Sequence, residues 1–393
     1  MPEVVVAGAV RTPIGRFGGG LSRLTAGQLG AAAAREALAR AGITAAQVDE
    51  AIFGCARQAG SGPNVARQVA FQAGVPQEAP AYTVNMACAS GLKSLQLAYR
   101  SVLEGDSRVV LAGGTESMSR VPYLLTGARW GYRMGHQDVV DGMYQDGFLC
   151  SLSGLVMGET AETLAGMYSV TRAEQDDFAL RSQKKAAQAI ESGRFDAEIA
   201  PVTAPAAKGE ARVERDEHPR ADTTLEGLAR LAPVFQADGG SVTAGNSSGI
   251  TDGAAAMLLM RRDTADELGV KPLARVLGFA AAGVDPKIMG IGVVPAVRKL
   301  LEGLKLRLED FDLVEVNEAF AAQVLACDRE LRFDRERLNV NGGAIALGHP
   351  IGATGARIAT TLLHEMKRRN ARRGLATLCV SGGMGMAAAF EAA

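Results

Sequence analysis

Cys88 in NMACASG and Cys379 in LCVSGGMG each stand where an apolar, strand-like run meets small residues, and His349 in GGAIALGHPIGATG adds an imidazole framed by glycines. Two thiols and one imidazole can run carbon–carbon bond chemistry on thioesters: one sulfur carries the acyl group and the other moves the proton. Cys88 comes immediately before a predicted helix, where backbone N–H groups and the helix dipole stabilise a thiolate. Ala87, Ala89, Ser90 and Gly91 leave room around it. Glycines at 342, 343, 348, 352 and 355 keep bulk away from His349, so substrate or backbone can approach closely, and Pro350 fixes the chain just after it. Asn317, beside Glu318 at the end of VEVN, reads either as a structural cap or as an amide that positions a water or an oxyanion.

The remaining thiols and imidazoles read differently. The chain has 5 cysteines, an odd set without CxxC spacing, which argues against a disulfide framework and against a cysteine zinc site. Cys55, Cys150 and Cys327 read as small buried hydrophobes, and His136, His218 and His364 as satisfied core or surface residues. Lysine plus arginine number 42 against 43 aspartate plus glutamate, so no global field recruits nucleic acid or an anionic membrane. With 393 residues, 47% of them hydrophobic, the chain can bury one large core or two medium ones. The opening MPEVVVAGAVRTP lacks the basic start and long apolar core of a secretory signal. No run approaches the roughly 18 apolar residues of a membrane span. The expectation is a cytoplasmic protein.

The elements that must position these groups are visible as patterns. VVVAGAV near the start, RVVLAGG at 108–114, FDLVEVN at 311–317 and LATLCVSGG at 375–383 read as buried strands. Residues 25–42 and 355–371 carry alanine, leucine and charges at helical spacing, and the alternation reads as α/β layers. The chain also echoes itself. ITAAQVDEAIFG precedes NMACASGLKSLQLAYRSVLEGDSRVVLAGG, and LRLEDFDLVEVN precedes GHPIGATGARIATTLLHEMKRRNARRGLATLCVSGG. Each copy runs from an acid-bearing turn into a strand, a small-residue turn opening a helix, and a strand closing on Gly-Gly, which predicts two similar units packed face to face. Residues 119–248 fit neither unit and show no clear strand periodicity, as in a binding loop or lid. A composition shift near Lys271-Pro272 marks a hinge.

VRTPIGRFGG, NMACASGLKS, GGTESMS, TAGNSSGITDGAAA, VNEAFAAQ, NVNGGAIALGHPIGATGAR and LCVSGGMG span the chain almost end to end. In this order they resemble the thiolase family, the acetyl-CoA acetyltransferases and 3-ketoacyl-CoA thiolases. The resemblance implies an α/β, thiolase-like fold: two similar halves, with mixed β-sheets layered between helices as αβαβα, plus an inserted loop domain. Residues 1–118, completed by about 249–270, would form one half and 271–393 the other, with 119–248 covering the coenzyme A groove. It further implies that Cys88 is acylated after activation by His349, that Cys379 is the general acid and base, and that His349 with a water held by Asn317 faces the enolate oxygen. Backbone N–H groups of Cys88 and Ser381 would form a second oxyanion hole. Ser248 and Ala244 would touch the pantetheine, Arg220 the nucleotide, and Met157, Met289 and Phe320 the acyl chain. The implied partners are acetyl-CoA, acyl-CoA and coenzyme A, with no metal or redox cofactor, in a homotetramer built from dimers.

Two positions depart from the family pattern. Ser381 stands where a run of three glycines is often found, which keeps the backbone donor but adds a side chain. Val156 stands where short-chain biosynthetic members commonly carry a histidine, which leaves room for longer 3-ketoacyl chains beside acetoacetyl-CoA. The first expectation is an acetyl-CoA acetyltransferase and the alternative a longer-chain thiolase of fatty-acid β-oxidation. A ketoacyl synthase usually places a histidine where Cys379 stands. A non-catalytic acyl-CoA binder has no need of both thiols and His349, and a papain-like protease leaves the second cysteine unexplained. A dinucleotide oxidoreductase lacks its GxGxxG after the first strand.

Overall fold

The computed structural model describes residues 2–393, and its first strand shows how the sequence builds the sheet. In β1 (Val4–Arg11), Val5, Ala7 and Val10 face one core while Val4, Val6 and Ala9 face another. Successive side chains of a strand point to opposite faces, so a strand covered on both sides reads as one continuous apolar run. The phase slips between Ala7 and Val10, where a bulge carries Gly8 at φ +61°.

The further strands are β2 (Gly15–Arg16), β3 (Glu50–Gly54), β4 (Ala81–Val84), β5 (Val109–Ser117), β6 (Tyr123–Leu124), β7 (Val140–Asp141), β8 (Val202–Pro205), β9 (Glu210–Val213), β10 (Thr251–Arg261), β11 (Ala274–Gly283), β12 (Leu313–Val316), β13 (Arg373–Val380) and β14 (Met384–Ala392). The helices are α1 (Ala26–Ala41), α2 (Val65–Gln72), α3 (Ser90–Glu104), α4 (Met157–Met167), α5 (Arg172–Glu191), α6 (Leu225–Ala229), α7 (Arg262–Glu267), α8 (Val293–Leu304), α9 (Ala321–Leu331), α10 (Ala344–Leu347) and α11 (Ile351–Arg369).

One hydrogen-bonded path runs β12-β13-β14-β11-β1-β10-β5-β3-β4, with β2 on β10. It divides at the β1/β11 contact into two halves of the same plan. In the first, β1/β10 and β10/β5 are antiparallel, while β5/β3 and β3/β4 are parallel. In the second, β11/β14 and β14/β13 are antiparallel, β13/β12 is parallel, and a parallel bridge from Val314 to Leu338 stands where β4 stands in the first. The echo read in the sequence is a repeat of topology.

Helices fill the layers between. α1 sets Leu29, Ala33 and Ala37 on the outer face of the first half, against Val5 and Leu258. α3 and α11 lie in the middle, where Leu92, Leu95, Ile358 and Leu362 share a core with Val110, Leu378 and Phe390 of both halves. α8 places Val294, Val297 and Leu300 over Ala387 and Ala389 on the outer face of the second. The stack is αβαβα. Thr25 and Gln28 form a capping box at the start of α1, and Gly42 ends it in the left-handed conformation at φ 70°.

Some expectations shift. The helix read from residue 355 begins at Ile351, because its glycines serve packing rather than breaking the helix. The stretch read as loop contains α4, the 20-residue α5 and the β8/β9 hairpin. α5 escaped notice because its buried side includes Gln175, Asp176, Ser182 and Gln183, which interrupt any apolar stripe. No helix among the described residues is long and apolar enough to cross a membrane.

Candidate active site

The crossing of α3 over α11 sets the geometry. A Cβ on Gly91 would lie 2.9 Å from both Gly352 O and Ala356 N, so only glycine permits this approach of the two backbones. Neither helix has a side-chain cap at its N-terminus, and Cys88 and His349 each stand two residues before the first residue of their helix. The repeated topology thus delivers a thiol from one half and an imidazole from the other to one end of the central layer.

Cys88 sits on a tight turn after β4. Ala87 has φ 44°, a left-handed conformation rare outside glycine, and Ser90 holds the turn: its hydroxyl accepts from Met86 N at 2.9 Å and donates to Ala87 O at 2.6 Å. The sulfur is partly buried, and burial pushes its titration up. The N–H of Ser381, the positive charge of Arg57 and the N–H of Cys88 itself pull the other way, while Glu116 adds to the rise. The Ser381 N–H thus still favours the thiolate despite the side chain that residue carries.

His349 is held from three sides. Its backbone N donates to Gly249 O at 3.1 Å, and Nδ1 lies 2.6 Å from the Thr354 hydroxyl, which itself donates to Pro350 O at 3.0 Å. A hydroxyl has one proton, so Thr354 accepts from Nδ1–H and leaves Nε2 as the unprotonated nitrogen. Asn317 Nδ2 makes a long 3.5 Å contact to Nε2, and its Oδ1 is buried without a protein partner. Burial first, then the charges of Arg357 and Arg57, depress the imidazole to about 3. The ring is neutral at physiological pH, with a lone pair available.

Cys379 is the penultimate residue of β13, opposite Gly385, and is fully buried. Burial, then the neighbouring Cys88 and Cys327, push its thiol far up, and only its own N–H opposes them. The same apolar cluster holds Met157, Met289 and Phe320, with Phe235 edge-on to Phe320 at 6.3 Å. Val156 precedes α4, and its N–H is taken by Glu159 at 2.6 Å.

Arg220 and Ala244 line one cleft of about 280 Å³ with His218, Thr224 and Leu231. Ser248 lies outside that lining, its N–H donating to Ala319 O at 3.0 Å beside Phe320. A larger groove of about 620 Å³ lies on α1 against Ala200–Thr203, and no cysteine or histidine lines it. Cys55 and Cys327 are fully buried free thiols, and His218 and His364 bond to carbonyls of Ala346 and Ala9, each at 2.8 Å.

Sequence reasoning overlooked the supports. Glu116, in GGTESMS, binds Ala56 N, Arg57 N and Gly352 N at 3.1, 3.0 and 2.7 Å, tying the loop after β3 to the start of α11. Glu318 accepts from Ser182 Oγ, Asn339 Nδ2 and Ile345 N at 2.6, 2.9 and 3.2 Å, fixing the chain behind Asn317. A buried carboxylate inside a glycine-rich motif was the available signal, since burying one requires such donors. Among the described residues no group of three His, Cys, Asp or Glu side chains is placed to hold a metal ion.

The family description "Thiolase, N-terminal domain" matches residues 4–263, and "Thiolase, C-terminal domain" matches residues 270–392. The acetyl-CoA acetyltransferase of Syntrophomonas wolfei is 53% identical over 394 residues, 99% of either chain. That of Pseudomonas aeruginosa is 54% identical over 388 residues, 98% of either chain. The crystal structure of the Bacillus anthracis acetyl-CoA acetyltransferase superposes with a TM-score of 0.98 at 49% identity, covering 100% of this chain and 99% of that one. Human mitochondrial 3-ketoacyl-CoA thiolase does so with a TM-score of 0.96 at 41% identity, covering 100% of this chain and 99% of its own. A topology repeated in two halves, with a thiol and an imidazole at equivalent helix starts and a second thiol beside them, is thereby accounted for: the chain belongs to the thiolase family.

Proposed function

We propose that the chain is an acetyl-CoA C-acetyltransferase, condensing acetyl-CoA with an acyl-CoA and cleaving 3-ketoacyl-CoA by the reverse route. The observation that carries the reading is two thiols in unlike surroundings beside a neutral imidazole with an unprotonated Nε2. His349 Nε2 takes the Cys88 proton, and the thiolate attacks the thioester carbonyl. The oxyanion faces the N–H groups of Cys88 and Ser381. The tetrahedral adduct expels the coenzyme A thiolate, which takes the Cys379 proton and leaves as a thiol. Cys379 is then a thiolate, and His349 an imidazolium whose charge is balanced by it. In the second half the Cys379 thiolate removes the α-proton of acetyl-CoA, a weak acid that needs a strong base. The enolate, opposite His349 Nε2–H and a water on Asn317, forms the carbon–carbon bond with the acyl group. Cys88 departs and recovers its proton from His349.

The division of labour along the chain belongs to the same proposal: two halves supply the reacting groups, and residues 119–248 cover the coenzyme A groove, with Arg220, Ala244 and Ser248 along it and Met157, Met289 and Phe320 around the acyl group. Coenzyme A thioesters are the substrates and the chemistry runs without a metal. Trp130 and Met134, 87% and 99% exposed, with Tyr123, Leu125 and Val139 nearby in sequence, support assembly into a homo-oligomer, read as a tetramer. Relatives named acetyl-CoA acetyltransferase support the short-chain reading, while Val156 favours tolerance of longer chains. Thiolysis rates decide between them. The proposal expects kcat/KM for acetoacetyl-CoA to exceed that for 3-ketoacyl-CoA esters of eight or more carbons, by on the order of tenfold. The opposite order would make the chain a longer-chain thiolase.

A further inference from the structure

Arg57 is a buried cation with no part in the catalytic steps. It follows Ala56 in the loop after β3, is 6% exposed, and its guanidinium has no hydrogen-bond or ion-pair partner among the described residues, with Nε wholly buried. The nearest buried carboxylate, Glu116, spends its oxygens on the N–H groups of Ala56, Arg57 and Gly352. An unpaired buried charge is costly, so its retention calls for a reason. The surroundings supply one. The loop is tied to the strand that leads into Cys88, through Cys55 N to Val84 O at 3.0 Å and Asn85 Nδ2 to Ala56 O at 3.1 Å. Ala56 shares an apolar cluster with Cys88 and with Ile351, the first residue of α11. The guanidinium packs against Gly147, where a Cβ would collide with it. Arg57 thus belongs to the loop that packs beside Cys88 and the start of α11, with Glu116 as the neighbouring anion.

We propose that Arg57 is the buried counter-charge of the Cys88 thiolate, a positioning residue that favours ionisation of the nucleophile without touching substrate. This rests on the reading of Cys88 as the acylated residue. Ionising Cys88 adds an anion that Arg57 attracts against the repulsion of Glu116, and the cation simultaneously disfavours a second positive charge on His349, keeping that base unprotonated. The groups facing the Cys88 sulfur are Arg57 and the N–H of Ser381 on the favourable side and Glu116 on the other. Cys379 lies across from it on β13, and His349, with Asn317 against its Nε2, stands at the start of the neighbouring helix.

The test follows alkylation of Cys88 by iodoacetamide against pH in the full-length Cys379→Ser protein, with adducts located by peptide mass spectrometry. Arg57→Met and Arg57→Gln should raise the midpoint by about one pH unit, slowing alkylation at neutral pH by about tenfold, whereas Arg57→Lys should stay near the parent. Removing an unpaired buried charge should leave the melting temperature of Arg57→Met unchanged or higher. Coincident midpoints for Met, Gln and parent would overturn the proposal. So would a lysine variant displaced as far as methionine, or failure of all three variants to fold, since either assigns Arg57 to packing. An adduct that avoids residue 88 in the parent would sink the nucleophile assignment instead, a result separable from any change in midpoint.

Discussion

Cys88 and Cys379 are the same side chain placed in two unlike regions. Cys88 belongs to a turn at the start of α3, partly open, with the Ser381 N–H and the Arg57 charge beside its sulfur. Cys379 belongs to a central strand, fully enclosed, with sulfur neighbours and a single opposing N–H. Both thiols are raised by burial, but only the first has groups that substantially favour its thiolate. Environments that push two like groups apart assign them different work: the more readily ionised thiol attacks, and the reluctant one, once deprotonated, is the stronger base. The lesson is that position relative to a helix start, not residue type, decides which sulfur is the nucleophile.

Removing the base should act first on the Cys88 side of this comparison. His349→Asn is expected to lower turnover by about 10²–10⁴-fold, with acylation of Cys88 slowed at least as much as turnover. Unslowed acylation in a pre-steady-state burst would break the link between imidazole and Cys88. Separating the two regions mechanically is the next test. Gly91→Ala drives a methyl against Gly352 O and Ala356 N, and chemical denaturation should show a loss of about 1–3 kcal/mol, with activity reduced further than stability explains. A fully stable, fully active variant would mean that α3 and α11 can part without cost. The smallest effect is on acid stability. His349 is depressed to about 3 in the native state, so between its ordinary value and about 3 the unfolded chain binds more protons at this residue. Its contribution is complete above the unfolded value and is lost as pH falls towards about 3. His349→Asn should therefore lose stability less steeply than the parent between pH 7 and pH 4, and equal slopes would contradict the buried neutral ring.

Much of this was legible beforehand, for identifiable reasons. β1, β5 and α1 showed themselves through period and caps, and the topological repeat appeared because each half must place a strand, a small-residue turn and a helix in the same succession. Cys88, His349, Asn317 and Cys379 stood out because small residues isolate reactive side chains in sequence as well as in space. Arg57, Glu116 and Thr354 did not, because their importance lies in partners, or the lack of them, more than 50 residues away or across a turn. α5 was hidden by its buried polar side, where Asp176 and Ser182 bond to Asn246 and Glu318 instead of packing as apolar residues. Hydrophobic pattern records burial of carbon and is silent about polar groups satisfied inside the fold.

Radiolabelled acetyl-CoA, followed by rapid quench and peptide mapping, tests the two-sulfur assignment most directly. Cys379→Ser should still accumulate label on the peptide containing residue 88 while losing most turnover, and Cys88→Ser should accumulate none. Label retained in full by Cys88→Ser, or normal turnover by Cys379→Ser, would contradict the assignment of one thiol to the acyl group and the other to the proton.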